Sequence, residues 1–313
     1  MADTRRRFLT TLASTGTVLA LAGCSGSDGD GGGETDGEMT EGEMTEDEMT
    51  ESEMTDGDAM DEGEQMTEGG MSEPVTVTVR IENVAPTDFY GSDSHTAGAV
   101  WITPGAYAVH SDGNPIYTEG ESASIGLEAL AEAGPPTGFE GEAGLVNELG
   151  GMNEAVAHSG AYTPADTVTD PNDPTGEVPG APPIAPGGAF EFDIQAAPGQ
   201  KLSFASMFVP SNDLFFSPGS DGITLWPEDG EPVSGDVTDG VHLWDAGTEP
   251  NGEPGQGPDQ APAQSSPDQG GDEGGVVRRL SDVGDGYSYP AASDAVRVTL
   301  TPHGSMDDGE SMN

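Results

Sequence analysis

The sequence holds one lysine, Lys201, and seven arginines: Arg5, Arg6, Arg7, Arg80, Arg278, Arg279 and Arg297. Against these stand 58 acids, for a formal net charge of -50 over 313 residues. So small a basic complement excludes nucleic-acid binding, which needs lysine and arginine to neutralise phosphates. Cysteine is nearly absent too, with Cys24 alone. A single cysteine excludes an intrachain disulfide and a zinc site built of cysteines. No hydrophobic run is long enough for a membrane-spanning helix: the longest, Leu12 to Leu21, is about half of the ~20 residues required. There is no Gly-x-Ser-x-Gly elbow and no phosphate-binding Gly-x-x-x-x-Gly-Lys loop. The five histidines, His95, His110, His158, His242 and His303, form no pair at metalloprotease spacing.

The acidic surplus repels itself and opposes a compact state in dilute buffer. Either the chain is disordered, or salt screens the repulsion; at molar salt the Debye length is about 3 Å. Residues 24–73 hold 19 acids and no base. Residues 74–313 still hold 38 acids against five bases. That second region also carries well-patterned apolar strands, so its charge reads as a halophilic surface rather than as disorder.

Arg5-Arg6-Arg7-Phe8-Leu9 and the apolar run behind it resemble a twin-arginine export signal. The run ends in Leu21-Ala22-Gly23-Cys24, which resembles a lipobox. The resemblance implies cleavage after residue 23, a lipid on the Cys24 thiol, and an extracytoplasmic protein anchored to the cell membrane. An ordinary cleavage site beside a chance cysteine is the plainer alternative. The lipoprotein reading is preferred because the one cysteine stands where that reading needs it.

Residues 24–73 are low in complexity. Glu38-Met39-Thr40, Glu43-Met44-Thr45, Glu48-Met49-Thr50 and Glu53-Met54-Thr55 repeat every five residues. Such a period lines no helix face. High negative charge without β-branched apolar residues predicts a disordered stalk, extended by its own repulsion. Thioethers favour soft Cu(I), but a solvated spacer accounts for the tract more simply.

Residues 74–302 read as one mainly β domain. Val75, Val77, Val79 and Ile81 alternate with polar residues, as a half-buried strand does. Further strands fit Phe190–Ile194, Leu202–Phe208, Ile223–Trp226, Val241–Trp244 and Val296–Leu300. Ile125, Leu127, Leu130 and Ala131 have helical spacing, ended by Gly134-Pro135-Pro136. Short helical turns are expected near Leu145–Leu149 and Met152–His158. The 48 glycines and 25 prolines suit long loops, above all residues 250–275. The expected fold is an antiparallel β-sandwich with a short helical insertion, followed by a disordered tail over 303–313.

Several segments together resemble the spondin N-terminal domain. Phe204-Ala205-Ser206-Met207-Phe208-Val209-Pro210-Ser211-Asn212-Asp213-Leu214-Phe215-Phe216 is similar to that family's strand, Pro-Ser turn, aspartate and aromatic pair. Leu243-Trp244-Asp245-Ala246-Gly247-Thr248-Glu249 is similar to its Asp-Ala-Gly-Thr-acid motif. Gly126–Glu132 falls where spondin domains carry a helical insertion, Pro183-Ile184-Ala185-Pro186-Gly187 precedes the matching strand, and Val296–Leu300 matches the closing one. The resemblance covers roughly residues 75–302. It implies a C2-like sandwich with a calcium ion among acids at one end, and the matching positions are Glu191, Asp213 and Asp245. Asp193 and Glu249 are further candidates, since calcium takes six to eight oxygens. The chain departs from the family's animal members in lacking disulfide cysteines and a thrombospondin repeat, so their partners do not carry over.

The reading that follows is a lipid-anchored cell-surface binding or adhesion module without catalysis, facing an unknown extracellular ligand. The alternatives are an extracytoplasmic hydrolase with an unrecognised site and a solute-binding lipoprotein. His242 lies three residues before Asp245, which on a strand places the two on opposite faces.

Overall fold

Strand β1, Val75–Asn83, follows its period of two: Val77, Val79 and Ile81 are buried while the intervening residues face outward. The computed structural model describes residues 73–163, 167–169 and 183–304. Arg5, Arg6, Cys24, the five-residue repeat and the chain after Gly304 lie outside the described residues. β1 sits between β5, Gly188–Ala196, and β12, Val296–His303, antiparallel to both. The register sets Val79 opposite Phe192 on one side and Leu300 on the other. Two short strands extend this sheet, β4, Thr167–Thr169, beside β5, and β9, Gly235–Asp236, beside β12.

A second antiparallel sheet runs in the order β11 (Arg278–Arg279), β10 (Val241–Asp245), β7 (Leu214–Pro218), β6 (Lys201–Phe208), β2 (Ile102–His110), β3 (Val156–Tyr162). The two-residue β8, Ile223–Thr224, pairs with β6. The two sheets face each other as a β-sandwich and do not close into a barrel. Between them lies the main core, in which Val79, Ile81, Phe190, Val298 and Leu300 of the first sheet meet Leu202, Phe204, Phe208, Leu214 and Phe216 of the second.

The larger sheet is covered on its outer face as well. Helix α1, Ile125–Ala133, starts at the N-cap Ser124, whose hydroxyl accepts the Leu127 N–H, and stops at Gly134 with φ 91°. Helix α2, Leu145–Gly150, follows. Glu148 of α2 accepts the Gly126 N–H at 2.8 Å and the Ser124 hydroxyl at 2.5 Å, so a carboxylate sits at the N-terminus of α1. Leu127, Leu130, Leu145 and Leu149 pack on Ala106, Ala108, Ala205, Phe215 and Trp244 as a second core. The small residues on the sheet let neighbouring groups approach: a Cβ on Gly105 would stand 1.9 Å from the Ala205 carbonyl oxygen.

This second layer explains where the strand patterns deviate from expectation. Every residue of β7, and all of β6 after Lys201, is buried, because both faces are covered. β2 reads Ile-Thr-Pro-Gly-Ala-Tyr-Ala-Val-His, without alternation, and is likewise buried along nearly its whole length. The helical turn expected at Met152–His158 is corrected: a turn at Met152 leads into β3, which begins at Val156. The last short helix, α3, Ala292–Ala295, precedes β12 directly.

Candidate functional site

The turn between β6 and β7 delivers the first acid. The Ser211 hydroxyl donates to the Phe208 carbonyl at 2.5 Å and accepts the Leu214 N–H at 3.0 Å, closing the Pro-Ser turn. Asp213, the last residue of that turn, is fully buried. β10 pairs with β7 so that its final residue, Asp245, lies opposite Leu214. Asp245 is fully buried as well.

The Asp-Ala-Gly-Thr-acid segment owes its shape to local chemistry. The Asp245 Oδ1 accepts the Gly247 N–H at 2.9 Å, forming an Asx-type turn. Gly247 adopts φ 71°, and a Cβ there would stand 2.5 Å from the Val276 nitrogen. Past that turn, the Asp213 Oδ2 accepts the N–H groups of Thr248 at 2.8 Å and Glu249 at 3.2 Å. The Asp213 Oδ1 is enclosed with no hydrogen-bond partner among the described residues.

A third acid arrives from the long loop. The Glu273 N–H donates to the Thr248 carbonyl at 2.7 Å, and the Gly275 N–H to the Gly247 carbonyl at 2.8 Å. Carboxylate oxygens of Asp213, Asp245 and Glu273 thereby come within 4.8 Å of one another. Oxygens that share a calcium ion at 2.3–2.6 Å stand no further apart than about 5 Å. The spacing of this all-oxygen set therefore fits such an ion, which would be held by one oxygen from each acid and completed by carbonyls or water.

One base faces this cluster. The Arg278 Nη2 lies 2.8 Å from Glu273 Oε1 and 3.4 Å from Asp245 Oδ2. Strand alternation separates the adjacent arginines: Arg278 is paired with Asp245, while Arg279, opposite Trp244, places its guanidinium 5.1 Å from the Trp244 ring centroid. Burial, and then the Asp245 charge, push the Asp213 carboxyl up to about 7, despite the stabilising N–H groups of Thr248 and Glu249. Burial raises Asp245 as well, and Arg278 and Asn251 offset part of that rise.

Of the positions expected to share an ion, the structure gathers Asp213 and Asp245 but not Glu191. Glu191 lies on β5 of the other sheet, opposite Arg80, with its Oε2 3.3 Å from Arg80 Nη1. Asp193 shares that strand and accepts the Thr78 hydroxyl at 2.6 Å. Both stand on the polar phase of the strand, where alternation turns them away from the core. Glu249 is buried beside the cluster and accepts the Asn212 side-chain N–H at 3.2 Å. Glu273 escapes sequence reasoning because it sits in a Gly- and acid-rich stretch in which no acid is distinguished from its neighbours.

A serine and a histidine also meet: His110 Nε2 lies 2.8 Å from Ser203 Oγ. Both residues are buried, and Nδ1 contacts the Asp112 carbonyl at 3.0 Å. A Cβ on Gly222 would lie 2.9 Å from the imidazole, so this side of the ring is sealed by backbone. Burial lowers the His110 pKa, and the Asp112 carbonyl offsets part of that. The pair is a buried polar contact between β2 and β6. Comparison with protein-family models and with curated proteins gives no match for this chain, so the spondin-like reading rests on the motifs quoted above.

Proposed function

We propose that this chain is a cation-dependent binding module of spondin type, displayed outside the cell on a lipid tether and adapted to high salt. The observation that carries the proposal is the pair Asp213 and Asp245, both fully buried, with one Asp213 oxygen left without a partner among the described residues. Burying carboxylates side by side is costly unless charge or hydrogen bonds compensate. Arg278 reaches two of the three acids in the cluster, so net negative charge remains. Calcium suits a set made only of carboxylate oxygens, with carbonyls and water completing its shell.

The role of such an ion is to hold loops. Asp213, Asp245 and Glu273 come from three separate segments that converge at one end of the larger sheet. Joining them through one cation would fix the rim against which an extracellular ligand docks. Catalysis plays no part in this reading. The twin-arginine-like Arg5 and Arg6, and Cys24 in its lipobox-like setting, supply export and attachment.

Calorimetric calcium titration of the full chain in molar salt tests this directly. Asp213→Asn and Asp245→Asn are expected to abolish the tightest binding event. Unchanged binding in both variants would remove the site. A Cys24→Ser chain is expected in the soluble rather than the membrane fraction of cells.

A further inference from the structure

Helix α1 carries Glu128 and Glu132 one turn apart, on the same face. Glu132 is only 2% exposed, and its Oε2 has no hydrogen-bond partner among the described residues. A carboxylate is an acceptor with no donor of its own, so enclosing it without one calls for a cation or a proton. Across from the helix, Asp268 stands in the long loop with φ 53°, a left-handed conformation uncommon for a residue with a side chain. Carboxylate oxygens of Glu128, Glu132 and Asp268 lie within 4.8 Å of one another. Among the described residues no ion pair reaches any of the three; Arg278, the nearest base in sequence to Asp268, is engaged by Asp245 and Glu273.

We propose that Glu128, Glu132 and Asp268 form a second site for a hard divalent cation of the calcium class, which clips the loop between Ala246 and Val277 onto helix α1.

The argument joins three features. The donors are all carboxylate oxygens, which favours calcium or magnesium over softer metals. Their mutual spacing matches oxygens around one calcium ion. The central donor is an enclosed carboxylate with one oxygen, Oε2, left without a partner among the described residues, which a surface group of acids does not show. Asp268 comes from a Gly- and Pro-rich loop with no helix or strand assigned between Asp245 and Arg278. An ion shared with a rigid helix would give that loop a fixed point. The site stands apart from the Asp213 cluster but next to it: the Thr248 N–H donates to Asp213, and the Thr248 side chain also hydrogen-bonds the Glu132 carboxylate, leaving its Oε2 free for a further partner.

The competing occupant is a proton. Burial, reinforced by Glu249, Glu128 and Asp268, pushes the Glu132 carboxyl up to about 8. A protonated Glu132 would meet its need without metal.

Calcium titration of the full chain separates the two, run alongside hydrogen exchange of the loop around Asp268. Wild type is expected to bind two ions above the weak background of its exposed acids. Asp268→Asn and Glu132→Gln are each expected to lose one of these, with about tenfold or greater weakening at that step. Asp213→Asn is expected to lose the other and to keep calcium-induced protection of the Asp268 loop. Asp268 is exposed, so its amide variant serves as the control for folding. Wild-type stoichiometry and wild-type loop protection in both Asp268→Asn and Glu132→Gln would overturn the proposal in favour of the proton, whatever happens at Asp213.

Discussion

The backbone N–H of Thr248 donates to the Asp213 carboxylate at 2.8 Å, a contact between residues 35 positions apart. It joins the Pro-Ser turn to the Asp-Ala-Gly-Thr-acid segment and holds one Asp213 oxygen in place. The other oxygen is left for a further partner. Most of what the site is expected to do follows from that division of one carboxylate.

The first consequence concerns pH. Asp213 is pushed up to about 7 from an ordinary 3.8. Between those values the folded chain holds a proton that the unfolded chain has lost. The stability tied to this group is therefore fully present at low pH and is lost as pH rises through about 7. Asp213→Asn carries no such titration. Thermal unfolding without divalent cations is expected to show wild type losing stability relative to Asp213→Asn as pH rises across this range. Saturating calcium should restore the wild type at the upper end and raise its stability by more than that of the variant, which keeps only the Glu132 site. A stability difference independent of pH would contradict the assignment.

Arg278 is the internal counter-charge, and it competes with any bound cation. Its guanidinium is about one-third exposed, so the cost of losing it is smaller than for a wholly buried pair. Arg278→Gln is expected to destabilise the metal-free protein by about 1–3 kcal/mol in chemical denaturation. Calcium affinity should rise several-fold, because one positive charge has left the neighbourhood. Weaker binding in this variant would show Arg278 to be a support for the site rather than a rival.

Glu191 should be silent toward the ion. It makes a partly exposed cross-strand pair with Arg80 on the other sheet. Glu191→Gln is expected to change stability by less than about 1 kcal/mol and to leave calcium titration unaltered. A shifted calcium affinity would require the two sheets to communicate in a way the contacts do not suggest.

The helical layer is expected to be structural. Leu130 is fully buried among residues of α1, α2 and the outer face of the larger sheet. Leu130→Ala should cost about 2–5 kcal/mol, measured by denaturant unfolding. Gly105→Ala should also destabilise, since its new methyl group would meet the Ala205 carbonyl backbone. A neutral outcome for Leu130→Ala would mean that the insertion is only loosely attached.

The sandwich was legible in the sequence where one face of a strand is wet. β1 and β12 alternate cleanly because their second face meets solvent. α1 was equally plain, since its apolar spacing and its Gly-Pro-Pro stop act locally. β2 was hidden for the opposite reason, whereas β3, an edge strand that is only partly buried, carries no apolar alternation to read. Sheet on one side and helices on the other remove the alternation from β2, and small residues such as Ala106 and Ala108 replace large apolar ones where the helices approach. The candidate site divides in the same way. Asp213 and Asp245 were readable because turn chemistry surrounds them in sequence. Glu191 was drawn to them by resemblance, although strand alternation directs it to another face. Glu273 and Asp268 were unreadable because tertiary folding of a low-complexity loop, and nothing in its composition, selects them among many acids.

The most direct test is a crystal structure of the full chain grown with calcium, with anomalous difference density used to locate the ion. The account predicts a peak bounded by carboxylate oxygens of Asp213, Asp245 and Glu273 at calcium distances of about 2.3–2.6 Å. Density beside Glu191 with none at Asp213, or a well-ordered Asp213 whose free oxygen contacts only water, would contradict it.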